Sequence, residues 1–145
     1  MLAPDVNVLV YAHRVESPDH GRYADWVTRM ATGSEPFALS DLVCAAFVRI
    51  VTNPRIWRPA TSLEVALAFV ERLRRRRGCR LLAPGSGTWT VFSRLVTDAG
   101  ASGKLVADAY LAALAIEHGC TLVTCDGDFA RFADLRWTHP LQPKA

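Results

Sequence analysis

A chain of 145 residues, 50% hydrophobic with a formal net charge of +3, is long enough for a single domain with a substantial core and too apolar for disorder. No apolar run reaches the roughly 20 residues that a membrane span requires. The N-terminus carries no basic stretch before its first charge, Asp5, so the reading is a cytoplasmic protein without a signal peptide. Cys44, Cys79, Cys120 and Cys125 form no CxxC pair and have no histidine at zinc-finger spacing, which argues for free thiols.

Taken in chain order, residues 2 to 11 read as a buried strand, with Asp5 and Asn7 on one face by the period-2 rule. A helix follows from about His20 to Met30, with Asp19 as its cap. "PFALS" is short and loop-like, and Ser40 caps the apolar helix "DLVCAAFVRIV", which ends near Thr52 where "TNPRIWRP" is turn chemistry. Thr61 or Ser62 caps "LEVALAFVERLRRRR", stopped by Gly78. "CRLLAP" is a short strand. "GTWTVFSRLVTDAG" is a helix ending at Gly100, and "KLVADAYLAALAIEHG" another ending at Gly119. "CTLVTCD" is a buried strand of parallel type, and "LRWTH" a last edge strand. Strands separated by helices predict an α/β fold with a mainly parallel sheet.

Three acids interrupt apolar patterns. Asp5 lies in the first strand, and Asp126 falls at the carboxyl end of "CTLVTC", where sheets of this kind bind ligands. Taken alone, an Asx turn closing the strand, with Asp128 two residues on, is the better account of Asp126. Asp108 shares a helical stripe with Leu105, Ala109, Ala112, Ala115 and Ile116, and an ionised carboxylate on such a stripe is costly unless paired or metal-bound. Brought together, Asp5, Asp108 and Asp126 would repel unless they share a cation. Mg²⁺ or Mn²⁺ suits an all-oxygen site, with Asn7 and Thr124 orienting the carboxylates. A metal so held can activate water and neutralise a phosphodiester in an in-line displacement.

"DVNVLVYA", "FVRIVTNPRIW", "DAYLAALAIEHG" and "LVTCDGDFARF", colinear over nearly the whole chain, resemble the PIN-domain ribonucleases, specifically the VapC toxins of toxin–antitoxin pairs. The resemblance implies a PIN-like three-layer α/β/α fold. It also implies Mg²⁺- or Mn²⁺-dependent endoribonuclease activity leaving a 5′-phosphate and a 3′-hydroxyl, homodimerisation, and inhibition by a VapB-type antitoxin. By position, Asp5, Asp108 and Asp126 match the first, third and fourth family acids, Asp128 a further acid, and Asn7 and Thr124 the polar residues beside them. The second family acid, a glutamate in a pattern like "EFxR", is absent: "AFVR" puts Ala46 there, through engineering or natural loss. Asp41, five residues earlier and roughly 140° around the helix, does not replace it, and Glu64 lies on another helix. The chain is therefore expected to be impaired in metal binding and cleavage.

A catalytically inactive PIN-fold binding module is the alternative. An aspartyl-nucleophile phosphatase fits less well, because its general acid would fall at Asn7, an amide. A phosphoacceptor domain leaves Asp108 unexplained. Arg49, three residues after Ala46, projects near the same helix face and could meet a site carboxylate or a phosphate. "ERLRRRRGCR", residues 71 to 80, carries six arginines and one acid. Arg74 to Arg77 read as a surface for RNA or for an antitoxin, or as a solvated helix end. His13, His20, His118 and His139 show no pattern tying them to the acids. Trp57, Trp89 and Trp137 read as core or dimer packing.

Overall fold

A computed structural model describes residues 1–142. Five parallel strands form one sheet in the order β3-β2-β1-β4-β5: β1 Leu2–Pro4, β2 Phe37–Leu39, β3 Cys79–Leu81, β4 Thr121–Val123 and β5 Trp137–Thr138. Six helices connect them: α1 Val6–His13, α2 His20–Thr32, α3 Asp41–Val51, α4 Leu63–Arg74, α5 Thr88–Ala99 and α6 Lys104–Glu117. The helices α1, α2 and α3 pack together, as do α5 and α6, giving the three-layer α/β/α arrangement. Phe37, Phe47, Phe129, Leu9, Leu39, Leu114 and Leu122 are the large side chains sealed in the core.

The N-terminal segment differs from the strand read over residues 2 to 11. The strand ends at Pro4, and Asp5 caps a helix that begins at Val6. The continuous apolar run hides this break, because Val8, Leu9, Val10 and Ala12 are all buried and show no helical stripe. Burial of this segment outweighs the low helix propensity of its β-branched valines. Asp5 and Asn7 are thus a cap and a first-turn residue, not alternate positions of a strand. The segment "PFALS" is likewise corrected: Phe37, Ala38 and Leu39 are buried and form β2, paired on both sides.

Several ends follow the local signals. The Ser40 hydroxyl accepts from the Val43 N–H at 3.1 Å, and Ser62 does the same for Val65 at 3.2 Å, each cap worth about 1 kcal/mol. Gly100 and Gly119, at φ 58° and 65°, take the left-handed turns that stop α5 and α6. Asp19 instead adopts φ 59° and makes no side-chain cap to α2. The helix α4 ends at Arg74, ahead of Gly78, whose carbonyl accepts from Phe37 as β3 begins. Because β1 lies at the centre of a parallel sheet, its carboxyl end and that of β4 open side by side.

Candidate metal centre

Asp5 stands where β1 gives way to α1. Its backbone N–H donates to Val123 of β4 at 2.8 Å, which locks the two strand ends together. Its Oδ1 accepts the Val6 N–H at 2.7 Å, the capping bond of α1. Its Oδ2 accepts the Thr124 hydroxyl at 2.7 Å and the Asn7 amide at 3.2 Å. Thr124 is fully buried and acts as a hub, since its oxygen also accepts from Asp126 N–H at 3.0 Å and from Asn7 Nδ2 at 3.2 Å. Asn7 closes the ring by accepting from the Cys125 N–H at 3.3 Å. Burial is the main influence lifting the Asp5 carboxyl above its ordinary range. The hydrogen bonds from Thr124 and Val6 oppose it, and the charge of nearby Asp108 adds to the rise.

Asp126 divides its two oxygens. Oδ1 accepts the Asp128 N–H at 2.9 Å, the Asx turn expected after β4, which opens a 3₁₀ turn over Gly127–Arg131. Oδ2 faces the acids and meets the Lys104 ammonium at 3.0 Å. Partial burial works against ionisation here, but the Asp128 N–H and Lys104 together hold the Asp126 carboxyl below its usual range. Asp108, one turn into α6, meets the same ammonium at 3.0 Å through its Oδ2. The Lys104 ammonium also offsets the charge of Asp5. Asp5, Asp108 and Asp126 therefore come from three elements to one place, and a cation is already shared there.

Asp5, Asp108 and Lys104 line a cavity of about 420 Å³ together with Ala46 and Arg49 of α3. Ala46 therefore faces the acids and contributes no carboxylate. Arg49 is exposed and, among the described residues, its guanidinium makes no hydrogen bond or ion pair. Asp41 points elsewhere, pairing with Arg74 at 2.6 Å. Asp128 enters the site through its backbone, while its side chain is exposed. None of the histidines joins the acids: His13 meets Thr61, His20 the Tyr11 carbonyl, His118 the Ala83 carbonyl, and His139 accepts from the Leu141 N–H. The arginine run is partly engaged, with Arg74 on Asp41 and Arg76 donating to the Ala31 carbonyl.

Among the described residues, no three His, Cys, Asp or Glu side chains already stand as a metal cage. The donor set nevertheless fits a hard divalent cation in kind. All the converging groups are carboxylate oxygens, two of them already sharing one positive charge, with a third beside them. Lys104 is the participant that sequence reasoning missed. Its signal was the spacing of four residues from Asp108, an ion-pair spacing on a helix.

A family model for the PIN domain matches residues 2–135. Ribonuclease VapC43 of Mycobacterium tuberculosis is 44% identical over 141 residues, covering 97% of this chain and 96% of that protein. Ribonuclease VapC25 of the same organism is 39% identical over 140 residues, covering 97% and 99%. In a crystal structure of VapBC2 from Rickettsia felis bound to a promoter DNA fragment, one chain matches with a TM-score of 0.69 at 20% identity, covering 95% of this chain and 97% of that one. VapC20 of M. tuberculosis, described as a sarcin–ricin loop cleaving toxin, matches with a TM-score of 0.64 at 19% identity, covering 94% and 99%.

Proposed function

The chain belongs to the PIN-domain family and groups with its VapC ribonucleases, and from that premise we propose that it is a divalent-cation-dependent endoribonuclease toxin centred on Asp5, Asp108 and Asp126. The observation carrying this reading is that Asp108 and Asp126, from α6 and the end of β4, share one ammonium, with the buried Asp5 lining the same cavity as Asp108 and Lys104. Mg²⁺ or Mn²⁺, when bound, supplies charge neutralisation at the phosphodiester and acidifies a water for in-line attack. The chain's own residues supply the rest. Thr124 and Asn7 fix the orientation of Asp5, the Asx turn fixes that of Asp126, and Arg49 stands free at the cavity to meet a phosphate.

Ala46 removes one acid from the same cavity, and this supports an impaired ion site. A side-by-side RNA cleavage assay in Mg²⁺ or Mn²⁺ tests the reading. Ala46→Glu should cut RNA faster than the chain as it stands, and Asp5→Asn in that background should abolish cutting. If glutamate adds nothing and no RNA is cut, a PIN-fold binding module becomes the better description.

The same premise gives the protein a VapB-type antitoxin and a second copy of itself as partners. The solved VapBC complexes support the first, as do the exposed Leu63, Val65 and Leu67 on α4, the helix that leads into the arginine run. For the second, Trp89 is 69% exposed beside Phe92 and offers apolar area to a copy. No helix among the described residues is long and apolar enough to cross a membrane.

A further inference from the structure

We propose that Lys104 is a built-in counter-cation that holds Asp108 and Asp126 in a cation-ready arrangement and competes with the divalent ion for them. This inference rests on the metal-site reading above. The Lys104 Nζ stands 3.0 Å from Oδ2 of Asp108 and 3.0 Å from Oδ2 of Asp126, and its charge reaches Asp5 as well. One ammonium thus pairs with two acids that would otherwise repel one another, and Asp5 lines the same cavity. A lysine N-terminal to an acid by four residues is the weaker order of helical ion pair, so the α6 pairing alone does not explain its position. Asp126, on a separate element, completes its environment.

The same lysine is built to leave. It is the first residue of α6, after Gly103 at φ 58°, and its side chain is 73% exposed. Among the described residues, its ammonium makes no hydrogen bond except those to the two acids. When it swings out it returns to water and uncovers the two carboxylate oxygens, whose orientation is set by α6 and by the Asx turn of Asp126. Arg49, the other cation lining the cavity, makes no such bond and does not take this role. Lys104 is therefore a positioning residue acting through Asp108 and Asp126, and its presence lowers affinity for a divalent ion.

Calorimetric titration of the metal-stripped full chain with Mn²⁺ tests this. Lys104→Gln should bind Mn²⁺ on the order of tenfold more tightly than the parent chain, the scale that removing one unit charge at ion-pair distance can bring. Lys104→Arg, which keeps the charge, should stay near the parent. In thermal unfolding, the Tm gained on adding Mn²⁺ should be larger for Lys104→Gln, because its metal-free form carries the unrelieved repulsion. A merely structural lysine predicts the opposite, weaker binding once it is gone. Equal or weaker affinity in Lys104→Gln overturns the inference while leaving the metal site standing. If neither chain binds Mn²⁺ even with Ala46→Glu added to both, and Asp108→Asn behaves as both do, the metal-site reading falls and this inference with it.

Discussion

The acid cluster has two halves built on different principles. The inner half, Asp5 with Asn7 and Thr124, is buried and every oxygen of Asp5 is claimed by a donor. The outer half, Asp108 and Asp126, is partly covered and is held by one removable charge on the exposed Lys104. The inner half spends folding energy to fix a carboxylate whose burial resists its ionisation; the outer half makes ion pairs whose lysine end stays in water, which holds their worth to about 1 kcal/mol. Fold and function are thus coupled at Asp5 and nearly separable at Lys104. Substitutions on the inner side should register in stability, and those on the outer side in ion binding.

The sharpest way to break that contrast is at Asp5 itself. Asp5→Ala removes the cap of α1 and leaves the Thr124 hydroxyl and the Val6 N–H without their acceptor. A loss of about 3 kcal/mol in urea unfolding is expected. Asp5→Asn keeps one oxygen for the Val6 N–H but turns an amide NH₂ toward the Asn7 and Thr124 donors, so it should cost about 1–2 kcal/mol, less than Asp5→Ala, while losing Mn²⁺ binding. Equal destabilisation by both changes would show that the Val6 cap, the bond Asp5→Asn retains, contributes little to the inner half.

Thr124→Val comes next. It keeps the shape and deletes the hub hydroxyl, stranding the Asp126 N–H and one bond to Asp5, and should cost about 2 kcal/mol. Thr124→Ser, which retains the hydroxyl, should recover most of it. Asp126→Asn on the outer side should stay under about 1 kcal/mol in the same assay. An outer change as costly as the inner one would dissolve the distinction.

The smallest effect is expected at the far end of α1, away from the acids. His13 packs between Phe47 and Phe69, and burial chiefly, with the charge of Arg14, lowers its pKa below the ordinary 6.5. The unfolded chain then binds the proton more readily than the folded one, so stability rises with pH across this window. The His13 contribution is complete above about pH 6.5. It is lost as pH falls through the depressed folded value. Unfolding midpoints measured down the acid side should drop, and His13→Gln should flatten that slope. A slope unchanged in His13→Gln would assign it to the carboxylates instead.

Much of this was legible from local chemistry. Asp108 announced itself by sitting on an apolar stripe, and Asp126 by closing a buried strand. The Ser40 and Ser62 caps and the glycines at 100 and 119 marked their helix ends through groups that act within a few residues. What sequence did not resolve was the break at Asp5, because a helix buried on all sides and a buried strand share one apolar pattern. The strand β2 was hidden for the related reason that three residues carry too little pattern. Lys104 was passed over because its second partner, Asp126, lies 22 positions away and only the fold brings it near.

The position of β1 also has a consequence in time. This strand is made early and lies mid-sheet, yet the hydroxyl that locks Asp5 belongs to a residue 119 positions later. Contacts so distant in the chain form late, after the loop between them has been gathered. While a ribosome is still delivering the intervening residues, Asp5 is a hydrated side chain on an unfinished sheet, with neither Thr124 nor Asp126 yet present. If the proposed centre cuts RNA, the order of synthesis then works as a safety catch: its acids are not assembled until the residues about Thr124, 119 positions after Asp5, have been made.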